Sequence, residues 1–164
     1  MGEPPVPTTI REVVPADQPA LAAIADEVQA LHAAAHPAIF RPVGAGASLP
    51  HAYFDALLAS ETATIQVAEV GGHIVGFAIV EVFDAPPVEI LVPRRTVFIS
   101  SMVVTAAQRG QGIGRALVEA AVEWGRGRGA TALELTVWAF NEAAQAFYAR
   151  LGLAPLHQTL HREL

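Results

Sequence analysis

Two textures divide the chain: stretches where apolar residues recur every third or fourth place, and stretches that alternate or are rich in β-branched residues. Leu21, Ile24, Val28 and Leu31 follow the first pattern, which predicts a helix with one apolar stripe. Asp17, with Pro19 behind it, reads as its N-cap and first turn, and Pro37 should stop it. Ahead of it, Thr9 to Val14 reads as a short strand. A loop holding Pro42, Gly44 and Gly46 follows, after which Ser48 is expected to cap a second helix carrying Tyr53, Phe54, Leu57 and Leu58 to about Ser60.

From Thr62 to Val82 the residues alternate around Gly71 and Gly72, the turn chemistry of a hairpin. Residues 83 to 95 carry Pro86, Pro87 and Pro93 and read as a loop, and Thr96 to Val104 is strongly strand-like. A long helix is expected from about Gly112 to Trp124, a strand from Ala130 to Trp138, a helix from Asn141 to Leu151, and one or two closing strands after Leu153. Strands on both sides of helices indicate an α/β or mixed α+β sheet covered by helices, in a single domain spanning residues 1–164.

The composition supports that picture: 52% of the 164 residues are apolar and 16% charged, so a real core is within reach, since chains of this size bury about 70% of their unfolded surface. A net charge of -6 removes the broad basic footprint of a nucleic-acid binder. There is no cysteine, which excludes disulfides, a thiol nucleophile and thiolate metal sites. Met1 to Thr9 lacks Lys, Arg and an apolar stretch of signal-peptide length, and no apolar run is long enough to span a membrane. The expectation is a cytoplasmic chain with no membrane partner. Gly2 does not make a myristoylation site, because Val6 stands where Ser or Thr is required.

The most informative segment is Gln108-Arg109-Gly110-Gln111-Gly112-Ile113-Gly114-Arg115, between an expected strand and an expected helix. Its glycines permit a tight turn that brings successive N–H groups to a ligand, and the helix start adds unpaired N–H groups and a positive dipole end. Such a turn either binds a phosphate or pyrophosphate or is a glycine-rich connection with no ligand. The glycine spacing is not the dinucleotide fingerprint, although Glu134 falls where a ribose-binding acid would stand, and no Gly-Lys-Ser/Thr marks a P-loop.

Neighbouring segments narrow the choice. Met102-Val103-Val104, then Arg109-Gly110-Gln111-Gly112-Ile113-Gly114, then Asn141, Ala144, Phe147, Tyr148 and Gly152 stand in one order and spacing. Over residues 96 to 153 this resembles the GNAT N-acetyltransferase superfamily. The resemblance implies a mostly antiparallel mixed sheet flanked by helices, with two strands splayed apart to admit the pantetheine arm of acetyl-CoA. It further implies that the backbone from Arg109 through Gly110, Gln111, Gly112, Ile113 and Gly114 to Arg115 holds the pyrophosphate. Val104, at the end of the Met102-Val103-Val104 strand, would pair with pantetheine, Asn141 would contact the cofactor farther along, and Tyr148 would face the sulfur as the general acid. A small-molecule amine acceptor and a homodimer are implied in the same way.

Acetyl transfer needs an oxyanion donor, for which main-chain N–H groups near Val103 or Val104 are candidates, and a neutral amine. Where relatives often carry an acid, this chain has Ser100 and Ser101, which leaves Glu69, Glu81, Glu134 or an already deprotonated amine as open choices for the base. His32 and His36 share a zinc-ligand spacing but lack a carboxylate partner, so no metal is expected; with Phe40 and Tyr53 they are weak candidates for the acceptor side. His157 and His161 read as decoration of a closing strand, and Trp124 and Trp138 as core or interface. A non-catalytic acetyl-CoA-binding sensor of the same fold and a nucleotide-binding α/β domain are the alternative functions, and Tyr148 favours the enzyme.

Overall fold

The computed structural model describes residues 7–163; the Gly2 and Val6 positions considered above lie outside them. β1 (Thr8–Glu12), β2 (Ala63–Val70), β3 (His73–Asp84) and β4 (Arg95–Val104) pair antiparallel in chain order, and β5 (Ala132–Leu135) joins β4 in parallel. The β2–β3 hairpin turns on Gly71 and Gly72, both at positive φ, a backbone that a Cβ would strain. The β4–β5 connection crosses over through α3 (Ile113–Arg126), as a parallel pair demands. The result is the mixed, mostly antiparallel sheet that the pattern and the resemblance predict.

Helices cover both faces. α1 (Gln18–Ala35) and α2 (His51–Leu58) seat Leu21, Ile24, Phe54 and Leu57 on Ile65, Val67, Phe77, Ile79 and Val103. On the other face α3 buries Ile113, Leu117, Val118 and Ala121 against Ala78, Val80, Val97 and Ile99, and α4 (Glu142–Arg150) adds Phe147 and Tyr148. Residue alternation along β3 and β4 thus feeds two cores, as period 2 requires.

Local departures have local causes. Asp17 stands at the N-cap of α1, but its carboxylate turns back to accept from the Val14 N–H (2.8 Å) and the Arg11 guanidinium (2.7 and 3.0 Å). Ser48 does not cap α2, which begins after Pro50; the Ser48 N–H is instead held by Asp26 of α1 at 3.0 Å. β5 is shorter than the strand expected from Ala130 to Trp138, because its pairing with β4 covers only Thr96 to Ile99. The segment after Leu153 forms no strand among the described residues: Leu156 and Leu160 remain exposed, so nothing compensates the ordering cost. His157 and His161 therefore lie exposed and outside any strand.

Candidate active site

The site begins with an extra residue in β4. Ile79 pairs with Ser101 but Val80 pairs with Ile99, so Ser100 has no partner of its own and the strand bulges there. Pairing with β5 ends at Ile99, and beyond it Ser101 to Val104 run with β3 on one side and no strand on the other. This is the splay that the resemblance implies, between β4 and an edge strand.

Main-chain direction along that free stretch follows from one hydrogen bond. The Thr105 N–H donates to the Val75 carbonyl at 2.9 Å, and in an antiparallel ladder the bonding direction alternates. Val103, opposite Phe77, therefore spends its main chain on β3, whereas Met102 and Val104 point theirs into the opening. The Val104 carbonyl accepts from Arg109 Nε at 3.0 Å, which leaves the Val104 N–H and both Met102 groups facing the cleft. Of the Val103 and Val104 N–H groups, the ladder engages that of Val103 and leaves that of Val104 free.

β4 then runs through a short turn into α3. Gly110 and Gly112 have φ of 79° and 85°, a conformation costly for residues with a Cβ. The Arg109 N–H is engaged by the Ala106 carbonyl, but those of Gly110 to Arg115 have no acceptor among the described residues. Gly110, Gly112, Ile113, Gly114 and Arg115 line one cavity of about 640 Å³, at the positive end of the α3 dipole. Gln111 does not line it and turns its side-chain amide toward the Ala107 carbonyl. Gly114 lies against Phe147, whose ring edge would sit 3.1 Å from an added Cβ, so α3 and α4 approach closely there.

The same cavity collects Met102, Val103, Val104, Arg109, Asn141 and Tyr148. Asn141 has a structural task as well: its side-chain oxygen accepts from the Ala144 N–H at 3.1 Å and caps α4. Tyr148 is half-buried, its ring edge-on to Phe147 at 5.1 Å, and burial pushes its phenol above the ordinary value. It therefore stays protonated at neutral pH, the form a proton donor needs.

Several lining residues were not singled out by sequence. Arg150 adds a third guanidinium beside Arg109 and Arg115, and it could have been found on the α4 face that Ala143, Phe147 and Tyr148 share, at helical spacing. Leu31, expected in the core, is 53% exposed and faces the cavity with Val28 and His32. His32 stacks on Phe40 (5.0 Å), Phe40 meets Trp138 edge-on (4.9 Å), and His36 tilts against Phe140 (4.7 Å). These rings tie the end of α1 to the β5–α4 connection, and burial lowers the His32 pKa, so its ring packs neutral. Trp124 belongs to the α3 side of the core, with the Arg128 guanidinium 3.9 Å from its ring centre. No group of three or more His, Cys, Asp or Glu among the described residues is placed to hold a metal ion.

The acceptor-side acids separate by their partners. Glu69 is paired with Arg11 at 3.1 Å and Glu134 with Arg94 at 2.6 Å. Glu81 has no cationic partner among the described residues; it accepts instead from the Ser100 hydroxyl at 3.1 Å.

Known proteins share this family and fold. The acetyltransferase (GNAT) family profile matches residues 26–153. An uncharacterized N-acetyltransferase of Methanocaldococcus jannaschii is 35% identical over 100 residues, which is 61% of this chain and 43% of that protein, so the match spans less than half of the relative's length. A mutant of the BH1408 protein from Bacillus halodurans superposes with a TM-score of 0.87 at 30% identity, over 95% of this chain and 99% of that one. The aminoglycoside N-acetyltransferase AAC(6')-Iy in complex with CoA has a TM-score of 0.72 at 17% identity, over 100% and 99% of the two chains, a likeness of fold.

Proposed function

The chain belongs to the GNAT acetyltransferase family, and from that premise we propose that it moves the acetyl group of acetyl-CoA to a primary amine of a small molecule by direct attack in a ternary complex. The observation that carries this reading is the convergence in one cavity of the unpaired N–H groups at the start of α3, the unpaired edge of β4 and the Tyr148 phenol. Pyrophosphate suits the Gly110–Arg115 turn, where Arg109, Arg115 and Arg150 supply positive charge. Pantetheine, an amide-bearing chain, suits the free N–H and carbonyl groups of Met102 and Val104, which it can pair as a strand would.

In the transfer the amine nitrogen attacks the thioester carbon, a C–N bond forms, and the C–S bond breaks. The Val104 N–H is the oxyanion donor we assign, and Tyr148 gives its proton to the departing thiolate. The acceptor class fits the net charge of -6, which favours a cationic amine. The AAC(6')-Iy likeness, a protein named for aminoglycosides and seen with CoA, supports the same class. Two copies are proposed to associate, with the exposed Ile90 and Val92 of the β3–β4 connection as surface a second copy would cover. Placement in the cytoplasm is proposed on the sequence argument; no helix among the described residues is long and apolar enough to cross a membrane.

The reading is tested by incubating the chain with acetyl-CoA and a panel of primary amines (a diamine, a polyamine and an aminoglycoside among them) and measuring free CoA. Release that depends on the amine supports it. Binding of acetyl-CoA without release to any amine supports a sensor instead.

A further inference from the structure

We propose that Glu81, reached through the Ser100 hydroxyl at the β4 bulge, is the group that takes the proton from the acceptor's ammonium before it attacks. The inference rests on the acetyl-transfer reading above. An alkylammonium has no lone pair for the thioester carbon, so a site working near neutral pH must remove a proton.

Three observations lead to Glu81. First, the alternatives are engaged in ion pairs: Glu69 with Arg11 at 3.1 Å and Glu134 with Arg94 at 2.6 Å. Second, the bulge places a hydroxyl where the sheet opens. Ser100 is the unpaired residue, immediately after β5 stops pairing at Ile99 and two residues, roughly 6–7 Å of strand, before Met102. Its hydroxyl donates to Glu81 Oε1 at 3.1 Å, with the Ile79 carbonyl at 3.5 Å as the other acceptor in reach, so a carboxylate of β3 is coupled to the residue at which the sheet opens. Third, the pair has a shaped surrounding on the α1/α2 face. Phe77 and Ile79 of β3 point to that face, and period 2 puts Glu81 and Phe83 beside them. Phe98, paired opposite Glu81, meets Phe83 edge-on with ring centroids 6.2 Å apart.

The groups facing Glu81 are Tyr53 from α2, Ser100 from β4 and, one strand farther across Phe98, Glu134 with its Arg94. Burial first, and the Glu81 charge second, push the Tyr53 phenol up, with Ser100 acting the other way. Tyr53 is thus a neutral donor beside the relay. An ammonium proton passes to Ser100 Oγ while the Ser100 proton passes to Glu81 Oε1, leaving R–NH2 and a neutral carboxyl that later returns its proton to water. The second nitrogen proton is lost as the amide forms and, through solvent, restores the Tyr148 phenol, whose own proton has gone to the thiolate.

The test uses the full chain, acetyl-CoA and the fastest amine of the panel, with Glu81→Gln, Glu81→Asp and Ser100→Ala compared across pH. For Glu81→Gln, kcat/KM should fall about 10²-fold at pH 7, and the deficit should shrink as pH rises toward the amine's own pKa. Glu81→Asp should recover part of the loss, Ser100→Ala should lie between, and acetyl-CoA Kd and Tm should stay at wild-type values. A wild-type pH profile in Glu81→Gln overturns the proposal, as does a loss equal at every pH and carried by KM alone. A wild-type chain that binds acetyl-CoA but acetylates no amine overturns acetyl transfer itself, and this step with it.

Discussion

Gly112 offers the sharpest perturbation of the cofactor reading, because one position there separates backbone, shape and charge. Its φ of 85° makes it the left-handed N-cap of α3, and nothing lies within 4 Å of a Cβ built on it. Gly112→Asn and Gly112→Asp both introduce residues that tolerate this conformation better than most, and have nearly the same shape. Each should cost about 1–2 kcal/mol of backbone strain, or roughly 2–8 °C in Tm for a chain of this size. The Asp variant should be no less stable than the Asn variant without ligand, since a carboxylate at a helix N-terminus is favourable by about 0.3–1 kcal/mol. With ligand the order reverses. A carboxylate about 6 Å from a phosphate, at an effective dielectric near 20, repels each unit of its charge by roughly 2.8 kcal/mol, about a 100-fold loss of affinity.

The assay is calorimetric titration of acetyl-CoA into wild type and both variants at low salt, with thermal melts alongside. Wild type at a hundredfold excess over Kd should gain about 2.7 kcal/mol, or roughly 5–11 °C. The Asp variant should bind at least tenfold more weakly than the Asn variant, and added salt should narrow the gap. Equal affinities for the two at low salt would refute the placement of pyrophosphate at this turn. Absence of any shift in folded wild type at millimolar acetyl-CoA would refute the cofactor itself.

Tyr148→Phe keeps the ring against Phe147 and removes the donor, so Tm and acetyl-CoA affinity should hold while kcat falls about 10²- to 10⁴-fold; wild-type turnover with chemistry rate-limiting would remove Tyr148 as the acid. Because burial raises this phenol, its ionisation should reduce activity only above about pH 10, and an alkaline limb below that must come from another group. Asp17 should show the opposite sign: the Arg11 guanidinium, against the opposing effect of burial, holds its carboxyl below the ordinary value. Its contribution to stability is present above about pH 4 and is lost as pH falls through the lower native value, so Tm of Asp17→Asn should fall less steeply than wild type in acid. Chelators should leave Tm and turnover unchanged, and stoichiometric tightly bound zinc in a tag-free preparation would contradict this.

What the sequence made legible was whatever depends on near neighbours. The α1 stripe, the Gly71-Gly72 turn and the start of α3 are each decided within about ten residues, and the structure places them where the pattern does. Leu31 shows the first limit: its spacing matches Leu21, Ile24 and Val28, but the spacing does not say that the last turn of the stripe overhangs a cavity instead of the sheet. The tail shows the second, since the residues after Leu153 form a strand only if a neighbour accepts them, and β5 gains none. Ser100 shows the third. Its bulge is a relation between two strands, visible only once Ile79 is matched with Ser101 and Val80 with Ile99, and the same register brings Glu81 from another strand to the serine. On the proposal made above, the acid that β4 lacks comes from the adjacent strand through Ser100, and no local window contains both residues.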